Sequence, residues 1–531
     1  MRLDHLWRSL LILPILAVGS PAAAVPPFSA IAARSVEPGA LGPGGVSLAG
    51  HPDGGWLLLG NDPEDAGRLK AIRIAADGTP AGAVVTEVLN EVEVTVLEVA
   101  VTSSGNWVAA WSGEVSDYEF SHPNAGLFEP DGTLVRELDL AVPEEKFPTR
   151  RREVVVAPAP DGGFVVAWGA RTAETQPADG DVSFAADLFA ARFSQAGERL
   201  AGPVLVNEQR VGFQVPTAIA IGPTAVAVSW NSWCCEPPAS WDTRARALAP
   251  DLSPLSGEVP VNEDEHRGLD QFGEVLAVDA AGRFTVRWRD WRSTPEGEAP
   301  SQVILFRRFE ADGTPIGPAN AAPMDWTGLR GPAGVATPLG VVWMAWVVGT
   351  FGEAWVRPFS FDGAPLGPAV RTGFFWESDS GEIVLAADPA GRVLMITYGW
   401  PKPVTGVVLG GEAPPPEHAL ASPEVPGFRV WVLITDPSGA SRWGAEEPAC
   451  LPETLCASGA LPGRTEALVR MVGPKPNGFL WPTLVKLSTS RVEVWIEQES
   501  TGVIRHYVLP GASPGNDTLP GLFDRHGFHP D

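Results

Sequence analysis

Two short apolar runs flanking a polar turn recur along this chain. "VSLAGHPDGGWLLLG" starts at Val46 and "VVVAPAPDGGFVVAWG" at Val154. Further copies are "VAVTSSGNWVAAWS" from Val99, "IAIGPTAVAVSW" ending at Trp230, "VLAVDAAGRFTVRW" from Val275, "GVATPLGVVWMAW" from Gly334 and "VLAADPAGRVLMITY" from Val384. "VKLSTSRVEVWIEQ" from Val485 is the most divergent. Apolar stretches of this length around a glycine turn predict β-hairpins. Five copies end on Trp111, Trp168, Trp230, Trp288 and Trp346, spaced by 57, 62, 58 and 58 residues.

A second motif follows each hairpin: an alternating strand, a turn that often reads Asp-Gly, and another strand. "KAIRIAADGTPAGAVV", "GLFEPDGTLVREL" and "VRPFSFDGAPLGPAV" are examples. Asp-Gly between alternating runs is a hairpin signal because glycine takes the positive φ of the tight turn. One unit therefore holds four strands, and long amphipathic helical patterns are absent. A four-stranded meander repeated at this period predicts an all-β fold, a β-propeller of eight blades, with seven as the alternative. The repeated tryptophans are expected to pack between blades. The expected organisation is a signal peptide at 1–24, a linker at 25–44, one propeller from 45 to 510 and a tail at 511–531.

Composition narrows the setting. The chain has 531 residues, 44% of them apolar, so it can bury a large core. Its 58 glycines and 53 prolines fit many turns. The net charge of −26, with one short basic run at Arg150–Arg152, makes nucleic acid and anionic membranes poor partners, since both require an extended basic surface. "LLILPILAV" after Arg8, followed by Ala22-Ala23-Ala24, reads as an export signal too short to span a bilayer. A secreted or periplasmic, monomeric protein without a membrane span is expected. Four cysteines fit an oxidising compartment: Cys450 and Cys456 enclose a short loop, and Cys234 and Cys235 are adjacent, so two local disulfides are the favoured pairing, with free thiols an open alternative at 234–235.

The pattern "DGGFVVAW … LFAARFSQAGERLAGPVLVNE" resembles the repeats of large secreted bacterial proteins: a glycine-rich hairpin ending in Trp, a strand closing on an Asp-Gly turn, then "VN". The resemblance spans most of residues 45–375. It implies a propeller-like extracellular module and no particular reaction.

Chemical motifs are sparse. "GASPG" from Gly511 matches a nucleophile elbow only in letters, since no strand-to-helix turn surrounds it. No metal ligand set or cofactor is expected. Asp62, Asp65, Asp179 and Asp181 lie in acidic loops whose spacing misses a calcium-binding hand, and solvated loops are the simpler reading. A quinone cofactor is disfavoured because the docking tryptophan motifs of quinoprotein propellers are missing. The longest links are richer in information. In a propeller, the link between strands two and three and the link between blades share one face. Those links carry Phe213, Trp233, Trp241, Arg267, Trp291, Arg292, Trp326, Phe375 and Trp376, the candidate binding residues. The expected function is non-catalytic recognition of a polysaccharide or protein through this aromatic face. The alternative is a glycan hydrolase or lyase with paired carboxylates, the candidates being Glu208, Asp270, Asp290, Asp325 and Glu377.

Overall fold

The structure is a computed structural model. It describes residues 31–32, 41–42, 45–65, 67–87, 93–116, 119–120, 123–143, 154–177, 185–234, 240–262, 271–292, 301–321, 329–348, 353–367, 369–375, 382–398, 405–410, 418–420, 425–447, 451–459, 465–472, 481–499, 503–509 and 521–523. Among these residues there is no α-helix, and antiparallel sheets of four strands dominate. No helix among them is long and apolar enough to cross a membrane. The chain divides into two compact units, one built from residues 36–369 and 376–405, the other chiefly from 406–531.

The first unit follows the repeat. Its first sheet is Val46–Gly50, Trp56–Asn61, Arg68–Ile74 and Pro80–Glu87, paired in chain order. The second is Glu93–Val101, Trp107–Ser116, Asn124–Phe128 and Leu134–Glu137; the third is Val154–Pro158, Phe164–Ala170, Asp187–Phe193 and Arg199–Leu205. Phe213–Ile221, Val226–Cys234, Ser240–Leu248 and Val259–Pro260 make the fourth, and Gln271–Val278, Phe284–Arg292, Ser301–Phe309 and Pro315–Ala321 the fifth. Leu329–Ala336, Val341–Val348 and Glu353–Ser360 follow, then Glu382–Ala387 with Val393–Tyr398.

The first hairpin turns share one hydrogen-bond pattern, except in the fourth sheet, where the Gly222 N–H donates to the Ala225 carbonyl across a two-residue turn. At 159–163 the Ala159 N–H donates to the Gly163 carbonyl at 2.7 Å, and the Gly162 N–H donates back to Ala159 at 3.0 Å. The same pair recurs at His51, Thr102, Asp279, Thr337 and Asp388. The third turn residue is glycine in each, with φ between 80° and 89°, where a side chain would be strained. The turns between third and fourth strands repeat the device, except that the fourth sheet places Leu252 there at φ 67°. Leu252 is buried, and the apolar contact of its side chain offsets that backbone cost.

First strands pack side by side in sequence order, and Glu382–Ala387 packs in turn against Val46–Gly50. At that junction the Trp56 Nε1–H donates to the Ala386 carbonyl at 2.9 Å, and the Tyr398 hydroxyl donates to the Gly42 carbonyl at 2.6 Å. The succession therefore returns on itself, as in a propeller-like fold, and each sheet covers the faces of its neighbours. Trp111, Trp168, Trp230, Trp288 and Trp346 are all buried, in the packing role expected of them. Between sheets four and five, the Ser229 hydroxyl accepts from the Val275 N–H at 2.8 Å, at an irregularity of the fifth sheet's first strand.

The second unit has its own core, centred on Val430, Val432, Val469, Val494 and Ile496. One of its sheets pairs Phe428–Thr435 with Arg491–Gln498, which pairs with Val503–Leu509. The other pairs Leu455–Ser458, Thr465–Val472 and Trp481–Lys486. This corrects one expectation. The copy "VKLSTSRVEVWIEQ" is not a hairpin: Trp481–Lys486 and Arg491–Gln498 belong to different sheets. Its link "LSTSR" has no glycine for the left-handed position that closes most of the true copies.

Candidate functional site

Within the first unit, the tight hairpin turns lie at one end of the sheets, and the ends of the strands that the long links join lie at the other. At the long-link end of sheets four and five, strands run further than the apolar runs suggest. Phe213 pairs opposite Trp233, and Trp233 opposite Trp241, so three expected loop residues stand in a row across a sheet. Phe213 is buried, not displayed on a link, while Trp233 and Trp241 are part-exposed. The Phe213 and Trp241 rings meet edge to face with centroids 6.4 Å apart. Trp241 in turn contacts Phe272 of the next sheet at 6.0 Å, and the Arg289 guanidinium lies 5.3 Å over the Phe272 ring. The result is an aromatic wall capped by a cation, with two part-exposed indoles and a part-exposed phenyl ring.

The remaining expected residues are less informative. Trp291 and Arg292 end the strand Phe284–Arg292, and Phe375 ends Val370–Phe375, with their side chains outside the described residues. Arg267, Trp326, Trp376 and the carboxylates Asp270, Asp325 and Glu377 lie outside the described residues altogether, as do Cys235, Cys450, Asp179, Asp181 and the side chain of Cys234. Cys456 is buried at the start of a strand. Glu208 is exposed and pairs with the Arg246 guanidinium at 2.9 Å. Asp290 is buried, opposite the equally buried Gln271. Asp62 and Asp65 are spent on their own loop: Asp62 accepts from the Glu64 N–H at 3.2 Å and Asp65 pairs with Arg68 at 3.4 Å. Among the described residues no three His, Cys, Asp or Glu side chains are placed to hold a metal.

A second constellation was not anticipated. Asp187, fully buried at the start of a third strand, accepts from Thr175 Oγ1 at 2.5 Å, Asn207 Nδ2 at 2.9 Å and Arg210 Nη2 at 2.7 Å. Asn207 Oδ1 also accepts from the Leu188 N–H at 2.6 Å. Hydrogen bonding to Asp187 raises the Arg210 pKa above its ordinary value. The "VN" of the repeat now has a physical role: its asparagine returns from the fourth strand to clasp the aspartate that heads the third. The sequence signal was there, since Asp187–Asn207 and Asp242–Asn262 share one spacing.

No family model and no curated protein matches this chain. Similar solved structures include a protein of unknown function from Dyadobacter fermentans, 11% identical over 60% of this chain and 95% of its own, with a TM-score of 0.40. Kuenenia stuttgartiensis hydrazine synthase is 12% identical over 73% of this chain and 98% of its own, with a TM-score of 0.40. The α-L-arabinofuranosidase Arb93A of Fusarium graminearum is 11% identical over 59% of this chain and 92% of its own, at a TM-score of 0.37. Likeness at these TM-scores carries no functional meaning for this chain.

Proposed function

We propose that this is an exported glycan-recognition protein whose first unit is a propeller of seven blades over residues 46–398. Seven blades rather than eight is supported by the meeting of Glu382–Ala387 with Val46–Gly50. The observation that carries the function is the aromatic wall of Phe213, Trp241 and Phe272 beside Arg289. Sugar rings present apolar C–H faces that stack on indoles, and the buried Arg289 guanidinium holds the Phe272 ring of that wall in place. Two cysteine links, Cys450–Cys456 and Cys234–Cys235, and a monomeric state belong to the same proposal. Calorimetric titration with a panel of soluble polysaccharides tests it: at least one should bind, and Trp241→Ala should weaken it at least tenfold. Failure of the whole panel, or binding indifferent to Trp241, would reject the reading.

A second reading is glycan hydrolysis, the activity in the arabinofuranosidase's name. Its observation is Asp290, a carboxylate buried near the end of the strand Phe284–Arg292. Most glycosidases need a second carboxyl group across the bond. Release of reducing ends by the wild type, abolished in Asp290→Asn, would favour it; binding without release favours recognition alone.

A further inference from the structure

Sheets three and four carry the same aspartate–asparagine pair with different partners around it. Ala170 stands opposite Asp187 in sheet three, and Ser232 stands opposite Asp242 in sheet four. Trp168 and Trp230, the repeat's landmarks, lie two residues before Ala170 and Ser232 respectively, so the positions are equivalent. In both sheets the first residue of the "VN" pair bonds back to the third strand: Val206 N–H to Leu188 and Val261 N–H to Thr243. In both, the asparagine amide donates to the aspartate, Asn262 Nδ2 to Asp242 Oδ1 at 3.1 Å.

In sheet three the pair is completed by the Thr175 hydroxyl, the Leu188 N–H and a cation, and the cation is the charged part that sheet four lacks among the described residues. Three residues beyond Asn207 the chain has Arg210, whose guanidinium neutralises Asp187. Three residues beyond Asn262 it has Glu265. Asp242 forms no ion pair among the described residues. Two further oxygens are left without a donor in sheet four: Ser232 Oγ and Asn262 Oδ1 are both buried and unbonded. Ser232 is only 1% exposed, and its register opposite Asp242 turns both side chains to one face of the sheet. Buried, unbonded acceptors beside a carboxylate that has no ion pair among the described residues are costly unless something positive meets them.

We propose that Asp242, Asn262 and Ser232 bind a calcium ion, which takes the place that Arg210 fills in the preceding sheet. One carboxylate, one amide oxygen and one hydroxyl form a hard, all-oxygen set, and waters complete the six to eight ligands that calcium accepts. Magnesium fits less well, because it demands near-octahedral geometry and gives up water reluctantly. With a single protein charge, the affinity belongs to the range of extracellular modules, with Kd about 10⁻⁴ to 10⁻³ M. The site differs from the aromatic wall, and binding of the ion is independent of any glycan.

The test uses the full chain and calcium or terbium alone. Terbium emission excited through nearby tryptophan should appear on addition and be displaced by calcium, and calcium should raise the melting temperature. Asp242→Asn should weaken binding at least tenfold. Asn262→Asp is the more telling variant. A purely structural clasp would be broken by a second carboxylate, whereas a cation site should bind calcium several-fold more tightly and show a larger calcium-dependent rise in melting temperature. Absence of terbium emission in the wild type, or emission unchanged by Asp242→Asn, overturns the proposal. So does an Asn262→Asp chain that gains no calcium response, and this variant decides the matter if Asp242→Asn does not fold.

Discussion

Single residues mark where this fold is most sensitive. Trp168 is 1% exposed among Val154, Val156, Phe164 and Phe189, so Trp168→Ala should cost about 3–5 kcal/mol in denaturant unfolding. Trp241→Ala, at a part-exposed position, should cost well under half of that; equal losses would erase the division between core and binding wall. His51 offers a pH-dependent case. Burial, and next the Arg73 charge, lower its pKa to about 4 against the opposing pull of Asp53. The unfolded chain protonates near 6.5, so between pH 6.5 and 4 it takes up the proton that the folded chain refuses. This histidine's share of stability is complete above pH 6.5 and is lost as pH falls through that window. With the charge partly screened by water, the loss is about 1–2 kcal/mol. His51→Gln should flatten the difference in melting temperature between pH 7 and pH 4; an unchanged pH slope would show that His51 is not its source.

At the scale of strands and turns, the alternation of apolar residues and the placement of glycine made most hairpins legible. A left-handed third turn residue is a local requirement, and local requirements leave a mark in the letters. Leu252 shows the limit, because a buried contact from elsewhere overrode the turn's preference. Strand ends were less legible. Trp233, Trp241 and Trp291 looked like loop residues, yet ladder pairing continues through them. The Asp187 clasp left only a shared Asp–Asn spacing in the letters, because its partners come from two segments, one with Thr175 and one with Asn207 and Arg210, that meet it only after folding. Asp187→Asn removes the charge that pairs with Arg210 and should cost about 3–5 kcal/mol, read as a shifted denaturant midpoint. Without calcium, Asp242→Asn should cost less, as no cationic side chain among the described residues depends on Asp242. Comparable losses would mean that the two clasps are not built on different principles.

At the scale of the first unit, the question is whether a run of repeats ends or closes. In an open stack the terminal repeats have one neighbour each and fray first. Closure gives every sheet two neighbours. The Trp56 indole bonded to Ala386 spans 330 residues of sequence, a contact that no hairpin pattern could announce. Native-state hydrogen exchange distinguishes the two arrangements in the intact protein. The amides of Leu48 and Leu385, in the first and last of the mutually packed first strands, should be protected to within about tenfold of Val166 in the third sheet. Exchange faster by two orders of magnitude at both would mean that the ends are free. Trp56→Ala sharpens the measurement. Deleting this buried ring should speed exchange in Val46–Gly50 and in Glu382–Ala387 together, because the two strands pack on each other at one junction. A response confined to the first sheet, where Trp56 itself lies, would show that the indole's bond to Ala386 does not hold the ring closed.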